Sequence, residues 1–448
     1  MQAEGLESTL APGGSWPLER LPEELLREVL DHLHSDSDKT TLKACSQACH
    51  RWCTYVTPSL FRRLSWPPCY FAWEDAFLQV PWTEECSCRE KAAFGTLATL
   101  LSSSPRVRQA VRELRFRARC KVDLTLTMKT LHAIVEHLPR LDILELSDLW
   151  VATIPAVAAW RPARGKSLGE VRLAGDSRST DVAPQVLKLF DCVGKLVMAS
   201  FDAAAGCTSF RDDGQSAAVR VPALVVDFEE DGYAGWLDAP GGGMREFCSY
   251  LDAPSLRDLV LCHPFAPHME PLTISWPALS SLSYVLGKHT PTLSQEASHS
   301  LESLTLGIRL PSKARNVQEW VKLSWDWMLR DLEALPAANI NELGIVFLTA
   351  YFLEVQFADG FDMSLQSRDW GALERVILRR FPQIRAIYVQ VGSHTRGRKG
   401  QIAERCDEVV KRVTRTRFTS RLSQFLDGGG GAQNFASVHH QYDTEYLT

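Results

Sequence analysis

The sequence has no large excess of either charge, no paired cysteine framework, no Asn-x-Ser/Thr sequon and no apolar run of membrane length. Its 49 Lys and Arg against 54 Asp and Glu leave a formal net charge of −5, which argues against a dedicated nucleic-acid binder. The 12 cysteines are scattered rather than paired, so no disulfide scaffold is expected. With the missing sequons they point to a reducing, intracellular compartment, cytoplasm or nucleus. The longest apolar stretch, residues 343–353, is about half of the ~20 residues a spanning helix needs, so no membrane partner is expected. The opening segment MQAEGLESTLAPGGSWP carries acids and no apolar core, unlike a secretory leader.

What is present is ordinary in bulk: 45% apolar and 23% charged residues over 448 positions. That is enough chain to bury a core without staples. At about 150 residues per domain it allows three domains, or one small module followed by a repeat array. Residues 1–17 and 427–448, rich in Gly and small polar side chains, read as a flexible leader and a disordered tail.

Residues 18–66 carry the clearest helical pattern. Pro22 suits a first helical turn, and Glu23 and Glu24 suit the positive end of the helix dipole. Leu25, Leu26, Val29, Leu30 and Leu33 then recur on one helical face. After the turn HSDSD, a second helix is expected with Leu42, Cys45, Cys49, Trp52 and Cys53 on one face, and Pro58 is expected to start a short third piece containing Leu60 and Phe61. Three short helices make a small core, so such a unit gains by burying an apolar face against a partner.

From about residue 90 to 426 a different unit recurs: a helical segment, a Pro-bearing turn, and a strand of the form apolar-x-x-apolar-x-apolar. The triplets are Val111/Leu114/Phe116, Leu141/Leu144/Leu146, Leu168/Val171/Leu173 and Leu256/Leu259/Leu261, then Leu279/Leu282/Tyr284, Leu301/Leu304/Leu306, Ile340/Leu343/Ile345 and Ile384/Ile387/Val389. Unequal spacing between them suits an irregular solenoid. Between Val171 and Leu259 the candidates 195–199 and 223–228 have no evident register.

Residues 21–61 resemble an F-box. The family's Leu-Pro, spaced leucines, Cys, then Cys-basic-x-Trp and closing Leu-Phe correspond to Leu21-Pro22, Leu25, Val29-Leu30, Leu33, Leu42, Cys45, Cys49-His50-Arg51-Trp52 and Leu60-Phe61. The resemblance implies docking onto a Skp-family adaptor and through it onto the cullin of an SCF-type ubiquitin ligase. Leu21, Pro22, Leu25, Leu26, Val29, Leu30, Leu33, Leu42, Cys45, Cys49 and Trp52 would then be the partner-binding residues. The family pairs this module with a downstream substrate-binding array, often of leucine-rich repeats, and the general arrangement is similar to that of fungal F-box proteins. The array here departs from the leucine-rich pattern, because the Asn or Cys expected three residues after the last strand leucine is replaced by Arg119, Leu149, Asp176, Pro264, Gly287 and Arg309.

The fold expected is therefore α/β: a three-helix F-box at 18–66, then an irregular leucine-rich-repeat-like α/β solenoid at 67–426. The function expected is recruitment of a protein substrate to a ligase, with a non-ligase binding scaffold as the alternative. No catalytic residue, cofactor or metal is called for.

Several motifs approach those of enzymes or ion sites. Gly165-Lys166-Ser167-Leu168-Gly169 has the spacing of a hydrolase nucleophile, but that chemistry needs a strand before the serine and a helix after it, and here a strand follows. Asp227, Glu229, Asp231, Gly232 and Asp238 fall short of a calcium loop, with Glu at the third position and the shorter Asp238 closing. Cys45, Cys49 and Cys53 lack a fourth ligand at zinc spacing and read as core, and Cys86 and Cys88 read as an exposed loop. His132, Glu136 and His137 match no zinc-protease spacing. The basic stretch 396–421 reads as an exposed helix, since only Phe418 interleaves its cations. Trp325 and Trp327, alternating about Asp326, read as strand core or as binding anchors.

Overall fold

In a parallel strand buried on its core side, residues two apart face the same way, so each triplet supplies two side chains to one face and a third at the turn before it. The computed structural model describes residues 22, 24–25, 28, 39–48, 50–66, 94–117, 125–147, 149–152, 166–174, 183–199, 219–227, 251–262, 273–274, 276–287, 291–310, 316–336, 339–348, 357–392 and 398–418. The expected leader 1–17 and tail 427–448 lie outside them, as do Cys86, Cys88 and the acidic loop beyond Asp227.

After the helical residues 24, 25 and 28 come α1 (Lys39–Ala48) and α2 (His50–Leu60), followed by strand β1 (Arg63–Trp66). Then come α3 (Phe94–Ser103), α4 (Pro105–Ala110), β2 (Glu113–Arg117), β3 (Thr125–Thr127), α5 (Met128–Glu136), β4 (Ile143–Ser147) and β5 (Trp150–Ala152). Next are β6 (Ser167–Ala174), α6 (Ala183–Leu187), β7 (Cys192–Ala199), β8 (Ala223–Asp227), β9 (Asp258–Leu261), β10 (Thr273–Ile274), β11 (Ser281–Val285) and β12 (Thr292–Leu293). The last part holds α7 (Gln295–Ser300), β13 (Ser303–Arg309), α8 (Val317–Ala334), β14 (Glu342–Leu348), α9 (Phe357–Gln366), α10 (Trp370–Arg380), β15 (Ala386–Gly392) and α11 (Arg398–Arg417).

Eleven strands form one sheet in the order β1-β2-β4-β6-β7-β8-β9-β11-β13-β14-β15, and every pairing in it is parallel. Chain order and sheet order run together, so each connection returns the chain beside the strand just left, as in a solenoid. The expected mixed α/β class, helices first and repeating parallel strands after, is what the chain adopts.

One register row runs unbroken from Leu64 in β1 through Leu114, Leu144, Val171, Leu196 and Leu224 to Leu259, Leu282, Leu304, Leu343 and Ile387 in β15. All eight sequence triplets lie in register in this sheet. The uncertain stretch resolves into two more, Val193/Leu196/Met198 and Val221/Leu224/Val226, all buried. Phe61/Leu64/Trp66 is a further one, packed partly buried on the same core cluster.

The connecting helices are set by local chemistry. Thr127 Oγ1 accepts the Thr130 N–H at the start of α5, Ser294 caps α7 through Ala297, and Asp369 caps α10 through Ala372. At the far end of α5, Lys166 Nζ donates to the carbonyls of Val135 and Leu138, a cation where the helix dipole favours one. Burial lowers the Lys166 pKa to about 8, against the attraction of Glu136.

The C-terminal helix α11 caps the solenoid. It buries Cys406, Val410 and Val413, and its Asp407 accepts the Val391 N–H of edge strand β15. Burial pushes the Cys406 thiol up to about 12. The basic residues read as an exposed face are partly engaged within the chain: Arg405 meets Asp359 at 3.3 Å and Arg412 meets Asp362 at 2.5 Å, both on α9.

Two local expectations are corrected. The single helix expected to carry Leu42 through Cys53 is two, α1 and α2, and Pro58 lies inside α2 rather than starting a third piece. A proline in a last turn forfeits one backbone hydrogen bond without ending the helix. Trp325 and Trp327 sit on the 18-residue α8, not on a strand. Trp325 is buried against Trp370 at 4.8 Å, while Trp327 is half-exposed.

Candidate partner-binding surfaces

Of the residues expected to meet an adaptor, Leu21, Leu26, Val29, Leu30, Leu33 and Cys49 lie outside the described residues. Pro22 is exposed, and Leu25 is 46% exposed. Leu42 and Trp52 are buried with Val56 in a small cluster to which Cys45, Tyr55 and Leu60 add. These residues hold α1 against α2, leaving Pro22 and Leu25 as the described apolar side chains open to a partner.

The helical unit is bonded into the sheet. The Arg62 carbonyl accepts from the N–H groups of Arg112 and Glu113 at 2.8 and 3.0 Å. The Arg63 guanidinium donates to Glu113 at 2.7 Å. From there an alternating row of charges crosses the sheet face opposite the leucine row. Glu113 meets Arg115, Arg115 Nε lies 3.6 Å from Glu145, Arg172 lies 3.8 Å from Glu145 and 3.0 Å from Glu170, and Lys195 lies 4.0 Å from Glu170. Burial would raise the Glu113 carboxyl, but Arg115 and Arg63 together hold it below its ordinary 4.5. Burial likewise works against the charged Arg172, and Glu170, Glu145 and Glu113 outweigh it.

Beyond Lys195 the same face turns apolar, with Val197, Val225, Val260, Cys262, Val285, Val346 and Leu348 forming a second buried cluster. Within that row Ser283 is buried, and its hydroxyl has no hydrogen-bond partner. Beside it, Gly344 faces Thr305 so closely that a Cβ would fall 2.8 Å from the threonine hydroxyl.

Ser167 opens strand β6, so a strand follows it, opposite to the order a nucleophile elbow needs. His132 Nδ1 lies 3.5 Å from Glu136 on one face of α5, and the described residues hold no group of three or more His, Cys, Asp or Glu placed to bind a metal. Among the described residues no helix is long and apolar enough to cross a membrane.

These observations define a class: a parallel α/β solenoid whose first strand is supplied by a small helical unit with an exposed apolar edge. The family model for F-box-like domains matches residues 18–65, the segment that contains α1, α2 and most of β1, so the chain carries an F-box-like domain at its N-terminal side. None of the curated proteins matches the chain. Among solved structures, a chain of the yeast Rad7 and Elc1 complex is similar at 14% identity, covering 84% of this chain and 90% of its own, with a TM-score of 0.26. A superposition that loose bears on neither fold nor partners.

Proposed function

We propose that the chain is a substrate-recognition subunit of an SCF-type cullin ubiquitin ligase. The F-box-like match over residues 18–65, with Pro22 and Leu25 open on its surface, is the observation that carries this reading. In it, the leucine face from Leu21 to Leu33 binds a Skp-family adaptor, a cullin follows through that adaptor, and the solenoid holds a protein substrate. The mechanism is positional: the subunit raises the effective concentration of substrate beside a ubiquitin-loaded enzyme and makes or breaks no covalent bond itself. Its place of action is the cytoplasm or nucleus.

The test is capture of a purified Skp-family adaptor and a cullin by the full chain. Pro22→Ala with Leu25→Ala, both at exposed positions, is expected to abolish capture without changing the thermal midpoint. Adaptor binding that survives the double change would sink this reading. Adaptor captured without cullin would favour a binding scaffold that carries F-box helices outside a ligase.

A further inference from the structure

The turns that enter the first three strands of the sheet stand side by side. The Arg62 carbonyl ahead of β1 accepts the Arg112 N–H at 2.8 Å, and the Arg112 carbonyl ahead of β2 accepts the Asp142 N–H ahead of β4 at 2.7 Å. This backbone ladder carries the register one residue beyond the strands, so Arg62, Arg112 and Asp142 are neighbours at ~4.8 Å a step. Val107, Ala110 and Val111 are buried at the end of α4, as are Leu138 and Leu141 in the turn before β4. The charged residues between them are left to the surface: Arg62, Arg106, Arg112 and Arg140 are exposed, and Arg108 is half-buried.

Residues 61–66 and 104–112 hold five arginines and no acid. Arg63 is taken up by Glu113. Among the described residues, Arg62, Arg106, Arg108, Arg112 and Arg140 meet no carboxylate within ion-pair distance. The acid in the same ladder turns away from them. A Cβ on Gly169 would collide with Asp142 Oδ1, so that carboxylate leans over β6, on the far side of β4 from Arg112. A chain of net charge −5 thus gathers unpaired guanidinium groups where its F-box-like unit meets its array. Like charges this close repel, a cost that a bound anion offsets.

Two features select the anion. Guanidinium forks match carboxylates in paired hydrogen bonds. The positive stretch is also short, three turns over about 10 Å. A nucleic-acid strand asks for a longer basic track with aromatic faces beside it, whereas Phe61 and Trp66, the aromatic residues of these segments, are packed on the core. Arg106, Arg108, Arg112 and Arg140 lie outside the F-box-like match, so the surface belongs mainly to the array.

We propose that this seam binds an acidic stretch of the recruited protein, a run of Asp or Glu side chains held chiefly by Arg108, Arg112 and Arg140. The proposal rests on the substrate-recruiting reading and names the chemistry of the segment recruited.

The test titrates the full chain with two synthetic peptides, one of alternating Gly and Asp and one of alternating Gly and Asn, read by calorimetry. The Asp peptide is expected to bind at least about tenfold more tightly and to weaken as salt is raised. Arg108→Glu with Arg112→Glu is expected to weaken it by about tenfold or more. Arg140→Glu, a single change in an exposed turn, serves if the paired change lowers the thermal midpoint, and is expected to weaken binding about threefold or more. Arg257→Glu with Arg385→Glu, exposed in later turns of the same ladder, is expected to leave binding unchanged. Equal binding of the two peptides, no binding of either, Asp-peptide binding untouched at the seam, or equal loss in the distant pair would each overturn the proposal. So would an oligothymidylate that binds more tightly than the Asp peptide through the same arginines, which would make the partner a nucleic acid. Adaptor capture is measured on the same proteins. Capture lost with Arg108→Glu and Arg112→Glu would assign the seam to the adaptor and overturn the proposal. If capture is intact while Asp selectivity is absent, the seam assignment fails alone. If capture is absent in the unchanged chain, the ligase reading fails instead.

Discussion

The Tyr284 hydroxyl donates to Oδ2 of Asp331 across 3.2 Å, joining the core face of β11 to α8 through a carboxylate with no exposure to solvent. Arg330 donates to the other oxygen, Oδ1, at 3.0 and 2.8 Å. A buried carboxylate is tolerated only when such donors surround it, so the tyrosine is needed for more than its bulk. Tyr284→Phe keeps the ring and removes one donor. It is expected to cost about 1–3 kcal/mol, read as a drop in the urea midpoint. A change below a few tenths would mean the remaining donors suffice.

Glu113 gives the sheet an acid-sensitive element. Its folded pKa is held below 4.5 by Arg115 and Arg63 despite burial, so the stability it contributes is complete above about pH 4.5 and is lost as pH falls through the folded value. Glu113→Gln is expected to lose about 1–3 kcal/mol near neutral pH, because the buried Arg115 loses the nearer of its two carboxylates and keeps Glu145 at 3.6 Å. The gap between variant and unchanged chain should narrow steadily from pH 5 downward in matched denaturant titrations. A gap constant with pH would rule out this account.

On the same face, Ser283 and Gly344 should respond in opposite senses. Ser283→Ala removes a buried hydroxyl without a partner and is expected to be neutral or to gain up to about 1 kcal/mol. Gly344→Ala drives a methyl into Thr305 and is expected to cost about 1–3 kcal/mol. Pairing Gly344→Ala with Thr305→Ser should recover part of the loss, which calorimetric midpoints would register.

Removal of residues 1–66 should harm the array itself. It takes away β1, the Arg62 carbonyl that accepts from Arg112 and Glu113, and the Phe61, Leu64 and Trp66 side chains on the core. The truncated chain is expected to aggregate or melt earlier, because β2 becomes an open edge. Removal of residues 1–38 keeps α1, α2 and β1 and should leave the melting curve of the array unchanged.

The repeating strands were legible because a buried parallel strand leaves a dense pattern: Leu282 and Tyr284, or Leu343 and Ile345, are fixed on the core side by spacing alone. Val193/Leu196/Met198 and Val221/Leu224/Val226 were obscured by other apolar residues on the opposite face, Val197 and Val225, which blur a period of two. Phe61/Leu64/Trp66 was hidden differently, since Leu60-Phe61 also closes the F-box pattern and one stretch serves both roles. Trp325 and Trp327 misled because two residues cannot establish a period, and on a helix they diverge by about 200°.

Because β1 lies within the F-box-like match and the sheet adds one strand per connection, the array behaves as a ruler. The ninth strand of the order, β13, stands eight steps from β1. At ~4.8 Å a step, that is roughly 38 Å along the sheet. Gain or loss of one unit between them would move anything docked on α8 by a fixed increment relative to anything docked at Leu25, and would turn it by the sheet's twist as well. The distance between those two ends would then change in discrete notches rather than continuously.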